Sequence, residues 1–231
     1  MTNFKADIVI LARGGSKGIP RKNLLPFLGV PLVELSIKQA ICAKKVRNIY
    51  LSSDSDEILS LASNYEVIQI KRPAVYATDT ARSEDAVIDL LKNSLKADLP
   101  DVVVMLEPTA PLRREGDIDM ALELFFKESA DSMFSGAFLE DFLIWKRSSN
   151  GQLQSVNYDY KIQGPRQHRK PDIVENGALY LFRPQIMLEE SNRFGGKICH
   201  FENEFWQSFE IDTIEDWKFV ELIYKTYIKN K

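Results

Sequence analysis

Between Arg13 and Asn23 the chain places three glycines (Gly14, Gly15, Gly18) and four cations (Arg13, Lys17, Arg21, Lys22) in eleven positions, with no acid among them. Glycines let backbone N–H groups approach an anion closely, and Arg13 and Lys22 supply the charge to neutralise a triphosphate. The segment is neither G-x-G-x-x-G nor G-x-x-x-x-G-K-[ST], so the dinucleotide fingerprint and the P-loop both fail on spacing. The bland alternative is a solvated basic loop, the usual fate of a charge run. Its position argues otherwise: it follows the short apolar run Ile8 to Leu11, and in an open parallel sheet ligands sit beyond the carboxyl ends of the strands.

The elements that must carry this loop alternate. A strand at Ile8 to Leu11 is followed by a helix opened by Pro31, with Val33, Ile37, Ala40 and Ile41 at helical spacing. The pattern then predicts a strand at Asn48 to Ser52, a helix at Asp56 to Ser63 and a strand at Val67 to Ile70. Ser83 reads as an N-cap before Val87, Leu90 and Leu91, with Glu84 and Asp85 in the favourable first turn. A buried strand at Val102 to Leu106 precedes a helix bearing Ile118, Ala121, Leu122 and Phe125. Met133 to Trp145 and Leu153 to Tyr160 read as irregular strands, Gly164 to Pro171 as a basic loop and Ala178 to Phe182 as a further strand. Thr213 with Asp216 forms a capping box for a last helix carrying Trp217, Val220, Tyr224 and Tyr227. The expectation is one α/β domain over residues 1–231, a mostly parallel sheet flanked by helices, with an excursion at about 132–172.

Composition bounds the partners. Thirty Lys and Arg against 33 Asp and Glu give a net charge of −3, so no general field draws in nucleic acid or an anionic membrane. The two cysteines, Cys42 and Cys199, make no disulfide framework or zinc pattern and favour a reducing, cytoplasmic setting. The amino end lacks a secretory signal, and no apolar run is long enough to span a bilayer.

The loop from Leu11 to Asn23 closely resembles the signature of the acylneuraminate cytidylyltransferases, which make CMP-sialic acids. Further segments agree in order: Ser52-Ser53-Asp54-Ser55, Arg72-Pro73 through Ala77-Thr78-Asp79-Thr80, Glu107-Pro108-Thr109-Ala110-Pro111-Leu112-Arg113, Glu175 to Tyr180, and Ile211-Asp212-Thr213. The resemblance implies a Rossmann-like nucleotidyltransferase fold. It also implies attack by the anomeric 2-hydroxyl of a nine-carbon α-keto acid sugar on the α-phosphate of CTP, with Mg²⁺ (or Mn²⁺) assisting and pyrophosphate leaving. Arg13, Gly14, Gly15, Ser16, Lys22 and Asn23 fall on the nucleotide-gripping positions, Ser83 on one that contacts the nucleoside, and Glu107 on one at the cytosine edge. Arg13, Lys22 and Asp212 are the expected catalytic residues. Asp212 and Glu210 match the metal-holding acids, which at i and i+2 of a strand end would point the same way; Asp212 as a mere helix cap is the other reading. Arg166 and Gln167 fall near the sugar, where a guanidinium would hold its carboxylate. The family works as a homodimer, and Phe134, Phe138, Phe142 and Trp145 are candidates for that contact.

Four positions depart from the pattern. Glu107 stands where the family usually has Gln, and a carboxylate accepts from the cytosine amino group but cannot donate to O2 or N3. Glu210 replaces the usual Asp, and Leu143 and Val174 fall where basic sugar-pocket residues are expected. Another NTP, an octulosonate acceptor and a non-catalytic nucleotide-binding homologue therefore stay open as alternatives. An NAD(P) oxidoreductase lacks its glycine fingerprint. His168 and His200, with no acidic partner in view, read as structural or surface residues.

Overall fold

The structure is a computed structural model that describes residues 4–139, 142–162 and 171–229. In chain order, β1 (Ala6–Leu11) leads through the basic loop into a hairpin of β2 (Pro26–Phe27) and β3 (Val30–Pro31), then α1 (Leu32–Ile41), β4 (Asn48–Ser53), α2 (Asp56–Ala62) and β5 (Ile68–Lys71). There follow α3 (Ser83–Asp89), β6 (Val102–Leu106), α4 (Asp117–Lys127), β7 (Ser132–Leu139), β8 (Trp145–Arg147) and β9 (Leu153–Ser155). The last elements are β10 (Asp172–Phe182), α5 (Pro184–Glu190), β11 (Ile198–Glu202) and α6 (Ile214–Tyr224).

Seven strands form the main sheet in the order β11-β7-β10-β6-β1-β4-β5. β1 pairs in parallel with both β4 and β6, and only β10 runs against its neighbours β6 and β7. Apart from Asp7, which pairs with Arg47, the central strands β1 and β6 are apolar because both faces are covered. On one face Ile8, Ile10, Val104 and Leu106 pack with α1, α2 and α4; on the other Val9, Val103 and Met105 pack with α3 and α5. The chain runs from β1 outward to β4 and β5, then returns to place β6 on the other side of β1. That reversal opens a crevice beyond the carboxyl ends of β1 and β6, where the loops after Leu11 and Leu106 diverge.

A third apolar cluster roofs this end of the sheet: Ile19 and Phe27 meet Leu112, Ile211, Val220 and Ile223. It ties the basic loop to α6.

Several details differ from the sequence expectation. α3 is capped by Arg82, whose backbone N–H donates to Asp85 Oδ2 at 3.2 Å, and Ser83 is its first residue. Ile41 ends α1 half exposed, while Val33, Ile37 and Ala40 are buried. β7 is a full member of the main sheet; beyond Leu139 the chain leaves it, and β8 pairs only with β9 in a separate hairpin. Strand pairing in the second irregular segment stops at Ser155, while β10 begins earlier than Ala178, at Asp172. Glu210 and Asp212 lie in an extended linker rather than on a strand. It is anchored by burial of Ile211, whose N–H donates to the Thr109 carbonyl at 2.8 Å.

Candidate active site

A cavity of about 610 Å³ opens at this crevice, lined by the loop after β1, the start of α3, the loop after β6 and the linker before α6. It brings Arg13, Ser16, Lys22, Asn23, Ser83, Glu107, Glu210 and Asp212 together in one wall. Gly14 and Gly15 lie in the same loop. Arg166 and Gln167, with His168, lie outside the described residues. His200 sits apart, its ring 5.7 Å from that of Phe138.

The loop is folded, not a solvated strand of charge. Ile19, Lys22 and Asn23 are buried, and Ile19 anchors the loop in the roof cluster. A 3-10 turn over Lys22–Leu24, entered through Arg21 in the left-handed region at φ 57°, turns the Lys22 side chain inward. Its Nζ donates to the Ile211 carbonyl at 2.6 Å and to Asp212 Oδ1 at 3.0 Å. The Gly14 N–H donates to Asp54 Oδ1 at 2.8 Å, which pins the loop to the end of β4. Asn23 Nδ2 holds the Arg13 carbonyl at 2.9 Å, while its buried Oδ1 has no partner among the described residues. Such an atom calls for a ligand donor or a water. At the mouth, Arg13 reaches the Thr78 carbonyl at 3.2 Å and Asp79 at 3.1 Å, and Lys17 also pairs with Asp79 at 3.2 Å.

Facing the cations is a corner of carboxylates. Burial, with repulsion from Glu107 and Asp212, pushes the Glu210 carboxyl up to about 7, against the attraction of Lys22. Glu210 is also pressed by the backbone of β10: Gly177 has φ 64°, and a Cβ there would lie 2.3 Å from Glu210 Oε1. A carboxylate whose folded pKa is raised costs stability as pH climbs from its unfolded value through the folded one. Glu210→Gln in the presence of a chelator is therefore expected to stabilise the fold by about 1–3 kcal/mol at pH 8 and by almost nothing below pH 4. Urea unfolding at the two pH values measures this; equal stability of both proteins at pH 8 would refute it.

Arg72 and Arg113 carry no role in the sequence reading, yet both support the site. Arg72, buried on the cavity wall, donates to the Ser52 hydroxyl at 3.1 Å and its carbonyl at 2.7 Å. Burial pushes it down to about 10, with Arg13 adding to the effect and Asp54 opposing it. Arg113 is wholly buried behind the loop after β6. It donates to Gln39 Oε1 at 2.9 Å, the Ser36 hydroxyl at 2.8 Å, and the carbonyls of Ala178 at 2.9 Å and Glu107 at 3.2 Å. Four acceptors from α1, β10 and the loop converge on one guanidinium, which fixes where Glu107 leaves the sheet. Both arginines stand in segments the sequence marks, Arg72-Pro73 and Pro111-Leu112-Arg113, but only the fold shows that they are buried.

Comparison with known proteins agrees with this geometry. The family model described as cytidylyltransferase matches residues 8–228. N-acylneuraminate cytidylyltransferase A of Danio rerio is 30% identical over 216 residues, 92% of this chain and 49% of that protein. The chain thus spans about half the length of that relative. Pseudaminic acid cytidylyltransferase of Campylobacter jejuni is 32% identical over 226 residues, 94% of this chain and 95% of the relative. Among solved structures, a CMP:2-keto-3-deoxy-manno-octonic acid synthetase complexed with CTP superposes with a TM-score of 0.71 at 15% identity, covering 97% of this chain and all of that one. At that identity it speaks for the fold alone. A glycine-rich cationic loop facing paired acids, on a sheet of this order and with a family match along nearly its whole length, leads to one conclusion: the chain belongs to the cytidylyltransferase family.

Proposed function

We propose that this protein activates an acidic α-keto sugar, a sialic acid or related nonulosonate, with CTP, giving a CMP-sugar and pyrophosphate. The observation that carries the reading is the contact of Lys22 with Asp212 at 3.0 Å in the cavity lining, which sets a cation suited to a polyphosphate beside an acid suited to a metal. Arg13, Ser16 and Lys22, with the backbone N–H groups of Gly14 and Gly15, grip the triphosphate and orient its α-phosphorus toward the acceptor hydroxyl. Ser83 and Arg72, which line the cavity, are assigned to the nucleoside. Arg166 and Gln167 are assigned to the sugar carboxylate on the strength of the resemblance.

The donor set suits Mg²⁺ or Mn²⁺. Glu210 and Asp212 offer hard carboxylate oxygens, and a divalent ion would offset the repulsion that Glu107 and Asp212 add to burial at Glu210. No group of three or more metal-type side chains occurs among the described residues, so phosphate and water would complete the shell. When bound, the ion supplies neutralisation of the phosphate charge.

The test is pyrophosphate release from four NTPs against a panel of acidic keto sugars, octulosonate included, with and without chelator. Release with CTP and a nonulosonate, lost on chelation, is expected. Release with another NTP would correct the base assignment, and CTP binding without turnover on any sugar would favour a non-catalytic role.

The working assembly we propose is a homodimer. Phe134 and Phe138 pack inward around His200, but Phe142, Trp145, Leu153 and Ile162 lie exposed on and around the β8–β9 hairpin, an apolar surface suited to a second copy. Light scattering at micromolar concentration should give twice the chain mass; a monomer would overturn the assembly. A reducing cytoplasmic setting fits the two free cysteines, and no helix among the described residues is long and apolar enough to cross a membrane.

A further inference from the structure

A second charged cluster adjoins the cavity without belonging to the phosphate loop. Arg193, in the loop after α5, is largely buried between two acids. Its Nε donates to Glu84 Oε1 at 2.9 Å and a terminal N–H donates to Glu107 Oε1 at 3.2 Å. The guanidinium carbon stands 4.3 Å from the centre of the Tyr180 ring, within cation–π range. The loop has little freedom to place it elsewhere. Arg82 donates to the Ser191 carbonyl at 2.8 Å on one side, and the Ser132 hydroxyl donates to the Gly195 carbonyl at 2.8 Å on the other. Phe194 packs edge-on against Phe134 and Tyr180 between them.

The two acids are not equivalent. Glu84 is buried and does not line the cavity; Glu107 does, and 27% of its side chain stays exposed. With Oε1 on Arg193, its Oε2 makes no hydrogen bond among the described residues. Glu107 and Glu210 line the same cavity, so a carboxylate at position 107 gains from a counter-charge. The Gln that the family usually carries would not.

We propose that Arg193 is a positioning residue that holds the Glu107 carboxyl aimed into the cavity, where its free oxygen accepts a hydrogen bond from an N–H or O–H of the bound substrates. This rests on the nucleotidyltransferase reading above and adds a selection rule to it. An amide offers a donor and an acceptor, whereas the Glu107–Arg193 pair offers acceptors only and repels a carbonyl or an anion at that point. The donor is either the amino group of cytosine or a hydroxyl or amide of the acceptor sugar.

The test compares wild type, Glu107→Gln, Arg193→Gln and the double variant. Unfolding is followed by calorimetry, CTP and UTP binding by titration calorimetry, and pyrophosphate release with N-acetylneuraminate or pseudaminate, whichever the wild type turns over. Arg193→Gln alone is expected to lower kcat/KM about 10- to 100-fold and the melting temperature by about 4–8 °C, because it leaves Glu107 unpaired beside Glu210. Adding Glu107→Gln should return kcat/KM to within about threefold of Glu107→Gln alone, and recover only part of the melting temperature, because the buried Glu84 still lacks Arg193 and keeps Arg82 at 3.5 Å. If the donor is cytosine, both single variants weaken CTP and narrow its preference over UTP. If it belongs to the sugar, acceptor KM rises while CTP binding holds. Additive losses in the double variant, or single variants within twofold of wild type in CTP binding and acceptor KM, would overturn the proposal. A wild type that binds CTP yet releases no pyrophosphate would instead fault the activity reading. The unfolding cycle and the CTP-versus-UTP comparison would still judge the pair.

Discussion

Replacing Asp212 by alanine should reduce pyrophosphate release roughly a thousandfold or more, a loss of about 4 kcal/mol of transition-state stabilisation, while leaving the fold intact. The asymmetry follows from its position. The side chain is 76% exposed, and its only hydrogen bond among the described residues comes from Lys22 at 3.0 Å. The helix behind it is capped by its neighbour: Thr213 Oγ1 accepts from the Asp216 N–H at 3.1 Å, and Asp216 Oδ2 accepts from the Thr213 N–H at 2.8 Å. Thr213→Ala should therefore show the opposite pattern, losing about 1 kcal/mol of stability and little turnover. Initial rates at saturating Mg²⁺ and CTP, with melting curves for both variants, decide the matter. A wild-type rate for Asp212→Ala would reduce that residue to a surface carboxylate.

The second large effect is expected from a single methyl group. At Gly18 a Cβ would lie 2.2 Å from the Asp212 carbonyl oxygen, and since that contact is with backbone, no side chain can swing aside to relieve it. Gly18→Ala must push the phosphate loop and the acid linker apart, which misplaces Lys22 and Asp212 together. A displacement near 1 Å between gripping groups costs on the order of a hundredfold in rate, and the contact itself about 1–3 kcal/mol of stability. At Gly15, where a Cβ meets nothing within 4 Å, alanine should change stability by less than about 0.5 kcal/mol. Steady-state kinetics and melting curves of the two variants make the comparison. Indistinguishable melting temperatures would mean the loop yields more easily than its packing on Ile211 implies.

Much of this could be read before the fold was seen, because the informative features were local. Val102 to Leu106 is a strand buried on both faces, and its unbroken apolar run says so. Thr213 and Asp216 lie three residues apart and cap α6 through backbone N–H groups within the same turn. The basic loop stood out because glycine and cation density is a local feature, and the fold places that loop on the cavity. What the sequence hid depends on distant partners. Arg193 meets Glu107 across 86 residues, from a loop with no motif of its own. Arg113 looks like one more basic residue until four acceptors from three elements close around it. Glu210 and Asp212 lie together on the cavity wall, yet an extended linker presents them where a strand was expected, because burying Ile211 needs only one backbone bond. Propensity also misplaced the start of α3 by one residue, since Asp85 caps the Arg82 amide rather than following a Ser83 cap.

Asp79 holds Arg13 and Lys17 at the mouth of the cavity. A carboxylate thus stands where an incoming phosphate would compete, so in the proposed reaction nucleotide capture would be an exchange of one anion for another. Exchange releases fewer counterions than capture by bare cations, and affinity for the nucleotide should depend only shallowly on ionic strength. In the proposed reaction the same carboxylate would be on hand as pyrophosphate departs, taking back the cations as the leaving anion lets them go.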